Sequence, residues 1–271
     1  MAVVKSVWRY PGAKGRLISS LEAYLDNILK DSNEFADCFV GGGSVLLHVA
    51  NKYPQINLYA NDKNYNVYAY WKIVSDTDNY NLLQLNSLLD IQPTTELFYS
   101  LKKEITTDLV RSAYIGIFLN RCSFSGMSVN PIGGKDQKSK YTVGCRFNSK
   151  KLQLNNIKIH NLLQGRVIVD NCDINNYYVL DKQQISLYLD PPYRKVGADL
   201  YHMFMDDKEH TNLSLKLNGR TNWLLSYDDD SLIKDLYKEN QMIDLAARYS
   251  INGKKTKWEN KSELLIFGYK K

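Results

Sequence analysis

The sequence is poor in cysteine, and its few cysteines form no recognisable cluster. It has 271 residues and 4 cysteines, at positions 38, 122, 145 and 172, with no C-x-x-C pair among them. Small secreted domains depend on dense disulfides, and structural zinc sites depend on closely paired cysteines. The sequence therefore argues against a disulfide framework and predicts no metal site. We expect a protein of the reducing cytoplasm.

Long apolar stretches are also missing. A membrane-spanning helix needs roughly 18 or more consecutive apolar residues, and no window of the chain approaches that length. The first residues, MAVVKSVWRYPG, lack the apolar centre of a secretory signal. We therefore predict neither secretion nor a membrane partner.

Charge of one sign is in only slight excess. The chain carries 35 Lys and Arg against 29 Asp and Glu, a net charge of +6. This excess permits a phosphate-bearing partner without demanding one. The apolar fraction of 44% and the charged fraction of 24% are ordinary for a globular protein. The length accommodates one large domain with an insertion, or two modest domains.

Apolar segments typical of buried strands alternate with helical segments in both halves of the chain. A helix is predicted over 15–30, where leucines recur at helical spacing. Alternation of strand and helix is typical of an α/β sheet whose strands are mostly parallel. Strands are predicted at 35–40, 56–60, 166–170, 185–189 and 223–226, with an antiparallel pair, 249–251 and 264–269, near the end.

The middle of the chain has a different pattern. Residues 76–119 are predicted to be helical, with little sign of buried strands. Residues 120–151 are rich in Gly, Ser, Asn, Lys and Arg, which is typical of a long, basic, exposed loop or hairpin. The simplest organisation is an α/β core formed by 1–73 and 159–271, with an inserted module at 74–158.

The segment Asp190-Pro191-Pro192-Tyr193 follows the predicted strand 185–189 and carries the strongest chemical signal. Its prolines remove two backbone donors, so the turn offers carbonyl oxygens as acceptors. The aspartate adds a carboxylate, and the tyrosine adds a flat face on which a planar base can stack. The combination predicts a site for an exocyclic amine on an aromatic ring. A proline-rich surface turn is the alternative, and the buried strand before the segment argues against it.

Three earlier features indicate a ligand site. Gly41–Gly43 follow a predicted strand, where glycines let the backbone approach a ligand, although Leu46 breaks the G-x-G-x-x-G fingerprint. Asp62 ends the next strand, where an acidic residue can accept hydrogen bonds from ribose hydroxyls. Singly, the glycines fit a tight turn and Asp62 fits a helix N-cap. Together, in this order, they indicate a nucleoside-bearing cofactor. Lys14, after a Pro-Gly turn, meets either a ligand carboxylate or solvent.

These segments, taken in order, resemble the Dam-type DNA adenine methyltransferases. The order is Pro-Gly-x-Lys, then D-x-F-x-G-G-G, then N-D, then D-P-P-Y. Phe118–Met127 is similar to the family's L-N-R loop, and 224–229 and 263–266 are similar to its C-terminal strands. The resemblance covers nearly the whole chain. It implies a Rossmann-like S-adenosylmethionine-dependent methyltransferase core, with a mixed, mostly parallel seven-stranded sheet and an inserted, mainly helical DNA-recognition domain.

The resemblance also implies S-adenosylmethionine as methyl donor and N6 of a flipped-out adenine in duplex DNA as acceptor. Asp190 and the Pro191 carbonyl would hold the amino group, Pro192 would complete the turn, and Tyr193 would stack on the base. The sulfonium methyl is already activated, so the reaction requires neither a metal nor a covalent enzyme intermediate. The implied cofactor contacts, with Asp170 as the alternative to Asp173, are Tyr10, Lys14, Asp37, Phe39, Gly41, Gly43, Asp62, Asp173 and Asp190.

The inserted module is expected to read DNA, because basic side chains spread through it can contact phosphates. Phe124 is either a wedge beside the extruded base or part of a small core. Family members that read GATC carry an arginine where this chain has Val129, and valine cannot make arginine's bidentate contact with guanine. GATC is therefore not the expected site. The predicted DNA contacts are Arg9, Arg121, Ser123, Phe124, Ser125, Met127, Lys140 and Arg146.

Other readings of the same motifs stay open at this point. With Asn in place of Asp, the signature belongs to enzymes that methylate cytosine N4, protein glutamine or structured RNA. A catalytically silent DNA-binding subunit is a further alternative, against which the intact D-P-P-Y and Asp62 argue. A cognate restriction endonuclease is a possible genetic partner, and a monomer is the expected state.

Overall fold

Strands and helices alternate along the chain in the computed structural model, which describes residues 4–9, 14–194, 205–249 and 259–268. Only the backbone is described for Arg16 and for residues 246–249 and 259–262. The strands are β1 (Glu34–Asp37), β2 (Asn57–Asn61), β3 (Val167–Asp170), β4 (Ser186–Leu189), β5 (Trp223–Asp228), β6 (Gln241–Tyr249) and β7 (Glu259–Phe267).

Helices follow the strands in the first half and fill the middle of the chain. The helices are α1 (Ile18–Leu29), α2 (Ser44–Lys52), α3 (Tyr65–Ser75), α4 (Tyr80–Leu88), α5 (Thr95–Lys103), α6 (Leu109–Cys122), α7 (Ser149–Leu163), α8 (Asp207–Leu217) and α9 (Ser231–Leu236). Helices α4, α5 and α6 confirm the helical pattern predicted for 76–119.

Within the described residues, the strands form a seven-stranded sheet in the order β3-β2-β1-β4-β5-β7-β6. Strand β4 pairs in parallel with β1 and β5, whereas β7 is antiparallel to both β5 and β6. The mixed α/β sheet confirms the predicted fold class. A parallel strand must be reached by a crossover, which explains the helices between the early strands, whereas β6 and β7 are consecutive antiparallel neighbours.

Most strand bounds differ from the sequence prediction by one or two residues, and β1, β6 and β7 differ by more. Strand β7 begins at Glu259, five residues before the predicted start at 264. Strand β1 ends at Asp37 instead of residue 40, because the chain enters a turn there. After the turn, the Val40 backbone N–H donates to the Asn61 carbonyl. Strand β6 begins at Gln241, eight residues before the predicted start at Tyr249, and pairs with β7 along its whole length. Ser250, Ile251 and Tyr269, which were included in that predicted pair, lie outside the described residues.

The chain divides into two compact units. The first comprises Met1–Ala13, Val40–Pro54 and Ala60–Asn171. Its core includes Trp71 and Phe118, both fully buried. Helix α6 carries Gly116 at a close approach, where an added Cβ would lie 2.8 Å from the Trp8 ring and 2.9 Å from Asn66.

The second unit comprises Lys14–Phe39, Gln55–Tyr59 and Cys172–Lys271. Its core is formed by the apolar faces of β1, β4, β5 and β7, with Tyr188, Trp223 and Phe267 among its largest fully buried side chains. Helix α8 begins with a capping box, in which Asp206 and Glu209 satisfy each other's backbone N–H groups.

Two classes of feature are absent from the described residues. In those residues, no helix is both long and apolar enough to span a membrane. In the same residues, no three His, Cys, Asp or Glu side chains are grouped so that they could hold a metal ion.

Candidate active site

The D-P-P-Y segment lies directly after β4, at the carboxyl end of a strand flanked by parallel strands on both sides. Leu187, Tyr188 and Leu189 are buried, so the strand fixes the position at which Asp190 emerges. The carboxyl ends of parallel strands meet at one edge of a sheet, where α/β proteins bind their ligands. The structure therefore places Asp190 where the sequence predicted a ligand-binding carboxylate.

One oxygen of Asp190 is surrounded by donors. Oδ1 accepts hydrogen bonds from Lys14 Nζ at 2.8 Å and from Ser226 Oγ at 3.1 Å, and the Tyr193 hydroxyl lies 3.4 Å from it. In the described part of the chain no donor contacts Oδ2, and the side chain remains 26% exposed. Among the described residues, the carboxylate is thus held by one oxygen only, and Oδ2 has no described donor.

Lys14 is the central cation of this cluster. Its side chain is 5% exposed, and Nζ contacts Asp190 at 2.8 Å, Glu263 at 2.8 Å and the Tyr193 hydroxyl at 2.9 Å. The sequence left Lys14 undecided between a ligand carboxylate and solvent. The structure shows a third arrangement, in which Lys14 binds the protein's own carboxylates.

Glu263 is a member of the cluster to which the sequence analysis assigned no role. It is 3% exposed and accepts a hydrogen bond from the Tyr193 hydroxyl at 3.1 Å in addition to the contact with Lys14. Because β7 is antiparallel to β5, Glu263 pairs with Asp228 at the carboxyl end of β5. The available sequence signal was an ionisable residue directly before the buried run 264–267.

Burial and neighbouring charges both shift the pKa values of Asp190 and Lys14. Burial raises the pKa of Asp190 above its ordinary value, Lys14 lowers it, and Glu263 raises it further. Burial alone would lower the pKa of Lys14, but Asp190, Tyr188 and Glu263 raise it well above its ordinary value. Lys14 therefore stays protonated at neutral pH, and Asp190 has an increased affinity for a proton.

Tyr227 and His210 support the proline turn through hydrogen bonds and ring packing. The Tyr227 hydroxyl lies 3.3 Å from the Pro192 carbonyl and 2.9 Å from His210 Nε2. The Tyr227 ring packs on the Tyr193 ring with centroids 5.2 Å apart. The Pro192 carbonyl is thus occupied, whereas no described residue donates to the Pro191 carbonyl. Sequence reasoning did not identify Tyr227 or His210.

The glycine turn after β1 forms a separate constellation with Asp62. Asp62 Oδ2 accepts the backbone N–H of Gly41 at 2.9 Å, and Oδ1 accepts that of Asn64 at 2.8 Å. The two alternatives left open for Asp62 were an N-cap and a ligand contact. The N-cap of α3 is Asn64, whose side chain accepts from Asn66. The role of Asp62 in this structure is to fix the glycine turn.

Gly43 requires a residue without a side chain. Its φ is 65°, in the left-handed region, and a Cβ added there would lie 2.2 Å from the Trp71 ring. Trp71 is itself fixed, because its Nε1 donates to the Gly41 carbonyl at 2.9 Å. The turn is therefore held between Asp62 on one side and Trp71 on the other.

The carboxyl group of Asp62 titrates near neutral pH. Burial raises its pKa to about 6, although the hydrogen bonds from Asn64 and Gly41 act in the opposite direction. A carboxyl with this pKa changes charge within the range in which enzymes operate.

The remaining predicted cofactor residues have varied environments. Asp37 is buried at the carboxyl end of β1, opposite Tyr188 of β4, and Phe39 is partly buried against the core. Asp173 caps the short 3-10 helix Ile174–Asn176 by accepting the Asn175 N–H. Tyr10 lies outside the described residues.

The loop predicted to contact DNA is organised by Asn120. This buried side chain accepts the Arg9 N–H at 2.8 Å and donates to the carbonyls of Arg9 at 2.8 Å and Gly126 at 2.9 Å. Gly126 has a φ of 80°, and a Cβ there would lie 1.8 Å from the Arg9 carbonyl oxygen. Ser123 bridges to Pro131, so residues 123–131 form a tight hairpin-like loop after α6.

Phe124 projects from this loop. It is 58% exposed, which excludes the small-core alternative and leaves its ring available to a partner. Ser123 is instead fully buried, and its hydroxyl accepts the Ser128 N–H at 2.8 Å. Ser125 adopts a φ of 53°, Met127 is half-buried, and Lys140 is exposed with its Nζ 5.9 Å from the Tyr141 ring centroid.

Three arginines lie within electrostatic range of one another in the same unit. Arg121 Nε donates to the Arg146 carbonyl at 2.9 Å, and its Nη1 to the Val7 carbonyl at 3.3 Å. Burial lowers the pKa of Arg121 to about 10, and the positive charges of Arg9 and Arg146 act in the same direction. Positive charge is therefore concentrated in this part of the first unit.

Comparison with known proteins adds two findings. Residues 10–251 match the profile of the D12 class N6 adenine-specific DNA methyltransferase family. The chain is also similar to the type II methyltransferase M.MjaIII of Methanocaldococcus jannaschii, with 27% identity over 296 aligned positions that cover 98% of this chain and 99% of that protein.

Proposed function

Because the chain belongs to the D12 class N6 adenine-specific DNA methyltransferase family, it is a DNA adenine N6-methyltransferase, and we propose that its methyl donor is S-adenosylmethionine. The residues present fit this group. The glycine turn has no side chain at Gly43, where even a methyl group would collide with Trp71. The carboxylate oxygens of Asp62 each accept one backbone hydrogen bond and retain further acceptor capacity.

The proposal assigns these residues to parts of the donor. Asp62 would accept hydrogen bonds from the ribose hydroxyls, and Gly41 and Gly43 would allow close approach of the backbone. Phe39, Asp37 and Asp173 would complete the contacts, together with Tyr10. S-adenosylmethionine, when bound, supplies a methyl group that is already activated for transfer to a nucleophile.

The proposal for the acceptor site rests on which acceptor atoms of the D-P-P-Y turn already have a hydrogen-bond donor and which do not. Asp190 Oδ1 is occupied by Lys14 and Ser226 and the Pro192 carbonyl by Tyr227, while Oδ2 and the Pro191 carbonyl have no donor among the described residues. These two acceptors match the two hydrogens of an adenine amino group. We propose that they hold N6 and that Tyr193 stacks on the base.

The residues of this chain would then act mainly by aligning adenine N6 with the methyl group of the donor. Holding both N6 hydrogens directs the nitrogen lone pair away from the acceptors and toward the methyl group. The negative charge of Asp190 stabilises the positive charge that develops on N6 during transfer. Lys14 keeps Asp190 in place without occupying Oδ2.

We propose that residues 74–158 are the DNA-recognition module and that 1–73 and 159–271 are the catalytic domain. Phe124 would wedge into the base stack beside the extruded adenine. Buried Ser123 would position this loop. The remaining contacts with duplex DNA would be made by Arg9, Arg121, Ser125, Met127, Lys140 and Arg146.

The same proposal covers the biological role, the oligomeric state and location, and the recognition sequence. The M. jannaschii relative is named a type II methyltransferase, and we propose that this chain likewise protects sites cut by a cognate restriction endonuclease. The enzyme would act as a monomer in the cytoplasm. Because Val129 stands where GATC-reading members have arginine, we propose a recognition sequence other than GATC.

A transfer assay tests this function. The protein is incubated with tritiated S-adenosylmethionine and, in separate reactions, unmethylated duplex DNA, structured RNA or a protein extract. We expect label in DNA alone, with a signal that falls when unlabelled donor is added in excess. Label only in RNA or protein, or none in DNA, would contradict the proposal.

A further inference from the structure

A buried acidic residue in the last strand, Glu263, contacts two side chains of the D-P-P-Y cluster, Lys14 and Tyr193. Glu263 bonds to Lys14 Nζ at 2.8 Å and to the Tyr193 hydroxyl at 3.1 Å. Lys14 in turn bonds to Asp190 Oδ1 at 2.8 Å. We propose that Glu263 is a positioning residue for methyl transfer, which orients Asp190 through Lys14 and holds the Tyr193 ring through its hydroxyl.

Burial of the Glu263 carboxylate costs free energy, because the group loses its hydration. Its presence in the core therefore points to a specific role. A carboxylate that is 3% exposed has lost nearly all of its hydration, and such a cost is tolerated where the charge is paired. The core of this edge could have been filled by an apolar side chain, as it is at Leu264–Phe267. Glu263 instead shares the single ammonium of Lys14 with Asp190.

The contacts also explain why the described donors bind Oδ1 of Asp190 and leave Oδ2 unoccupied. Lys14 could approach either oxygen of an isolated aspartate. Because Glu263 attracts the ammonium from β7 and Ser226 donates to Oδ1 from β5, the donors all gather on the same oxygen. The carboxyl plane is thereby fixed, which is the condition for holding an amino group in a reactive orientation.

The hydroxyl of Tyr193 is fixed by the same residue. It lies between Lys14 Nζ, Glu263 Oε1 and Asp190 Oδ1, at 2.9, 3.1 and 3.4 Å. The ring that is proposed to stack on the base is therefore anchored at its far end. Tyr227 packs against the ring itself and completes the support.

The charge of Glu263 has a measurable consequence. The titratable groups around it are Lys14 from the N-terminal segment, Tyr188 and Asp190 from β4 and its end, Tyr193 from the turn, and Asp228 opposite it on β5. Glu263 raises the pKa of Asp190 by repulsion between like charges. Removing that charge must lower the pKa of Asp190, so the acidic limb of the kcat profile must move to lower pH.

The test rests on the proposed function and uses three variants of the full chain. Glu263→Gln keeps the shape and one acceptor oxygen but removes the charge. Glu263→Asp keeps the charge but withdraws it by one methylene. Glu34→Gln is the matched control, because Glu34 Oε1 also accepts a tyrosine hydroxyl, that of Tyr59 at 2.6 Å, away from the D-P-P-Y turn.

We expect kcat of Glu263→Gln to fall by about tenfold to a hundredfold at pH 8, as for other losses of positioning, with KM for DNA nearly unchanged. Its acidic limb should move to lower pH. Glu263→Asp should also lose kcat but keep the acidic limb of the wild type, since the charge is retained. Glu34→Gln should match the wild type in both respects.

The activity of the wild type separates failure of the proposed function from failure of the role of Glu263. An inactive wild type would contradict the proposed function itself. An active wild type together with a Glu263→Gln variant that behaves like Glu34→Gln would overturn the role of Glu263 alone. If Glu263→Gln does not fold, the Glu263→Asp variant decides, because unchanged kcat in that variant would also overturn the positioning role.

Discussion

Two aspartates, Asp62 and Asp190, have raised pKa values for the same first reason, which is burial. Their surroundings differ. In the described part of the chain, the Asp62 carboxyl accepts hydrogen bonds from two backbone N–H groups, whereas Asp190 faces the Lys14 ammonium and the Glu263 carboxylate. Asp62 can therefore act as a hydrogen-bond acceptor whose strength depends on pH, while the environment of Asp190 is set by fixed charges.

The first residue-scale prediction concerns binding of S-adenosylmethionine to Asp62. The pKa of about 6 means that the carboxyl is protonated below that pH and loses acceptor strength. Affinity should be constant above about pH 7 and should weaken as the pH falls through 6. Isothermal titration of the wild type between pH 5 and pH 8 measures this dependence.

The matched variant is Asp62→Asn, which cannot ionise. It should bind the donor roughly tenfold or more weakly at pH 8, because a charge-assisted hydrogen bond is lost. Its affinity should also be flat between pH 5 and pH 8. A wild-type profile that is parallel to that of Asp62→Asn would show that Asp62 does not contact the donor.

A second residue-scale prediction concerns Tyr227. Tyr227→Phe keeps the ring that packs on Tyr193 but removes the hydroxyl that contacts Pro192 and His210. We expect a destabilisation of about 1–3 kcal/mol, because buried polar partners are left unpaired, and a several-fold lower kcat. Urea unfolding and steady-state kinetics measure the two effects. Tyr237→Phe, a buried tyrosine that packs on Trp223, is the control and should retain wild-type kcat.

At the scale of single residues, sequence patterns predict the groups that carry a local signature and miss those that act through tertiary contact. Asp190 and Lys14 stand in short recognisable motifs, and the structure brings them into contact. Glu263 lies about seventy positions after Tyr193, and only the antiparallel pairing of β7 with β5 brings it to the site. No local spacing could reveal that contact.

At the scale of elements, the strand-to-helix turn between β1 and α2 depends on a single backbone conformation. Gly43 is the N-cap of α2 and has left-handed φ, and its N–H donates to the Val40 carbonyl at 2.6 Å. The Trp71 ring occupies the space that any side chain would need. The packing between this turn and α3 therefore makes a glycine obligatory.

The prediction at this scale is that Gly43→Ala destabilises the protein more than an alanine at an unobstructed left-handed glycine. The sum of backbone strain and overpacking suggests about 2–5 kcal/mol. Gly219→Ala is the control, because Gly219 has a φ of 75° with nothing within 4 Å of an added Cβ, and it should cost about 1 kcal/mol. Equal denaturation midpoints for the two variants would contradict the proposed collision with Trp71.

The loop after α6 shows what composition can and cannot predict. A Gly-, Ser- and Lys-rich segment correctly indicated a long loop or hairpin. Composition could not distinguish buried Ser123 from exposed Phe124, because the left-handed conformation of Ser125 and Gly126 decides which side chains point inward. Sequence spacing likewise gave no role to Asn120, whose amide joins the loop to Arg9.

At the scale of the whole molecule, alternation of strand and helix was enough to predict the α/β sheet, and the order β3-β2-β1-β4-β5-β7-β6 agrees with the expected methyltransferase core. The length of β6 was underestimated, because its residues 241–249 do not form an apolar run. Pairing with β7 defines that strand more than its own sequence does.

The distribution of charge leads to a prediction about DNA affinity. A chain with a net charge of only +6 can bind DNA strongly where its cations are concentrated, as they are at Arg9, Arg121 and Arg146. Arg146→Ala should reduce the slope of log affinity against log salt by about one, since each phosphate contact releases about one counterion. Lys238→Ala, exposed and outside 74–158, should leave the slope unchanged. Identical slopes for Arg146→Ala and the wild type would exclude a phosphate contact.

The measurement that tests the central claim most directly is nucleoside analysis of duplex DNA after incubation with S-adenosylmethionine and purified protein. The wild type should convert adenine to N6-methyladenine, which mass spectrometry separates from N4-methylcytosine. Asp190→Ala should give none, whereas Asp181→Ala, at a 76% exposed position, should match the wild type. N4-methylcytosine as the product, or near-normal N6-methyladenine from Asp190→Ala, would contradict the account.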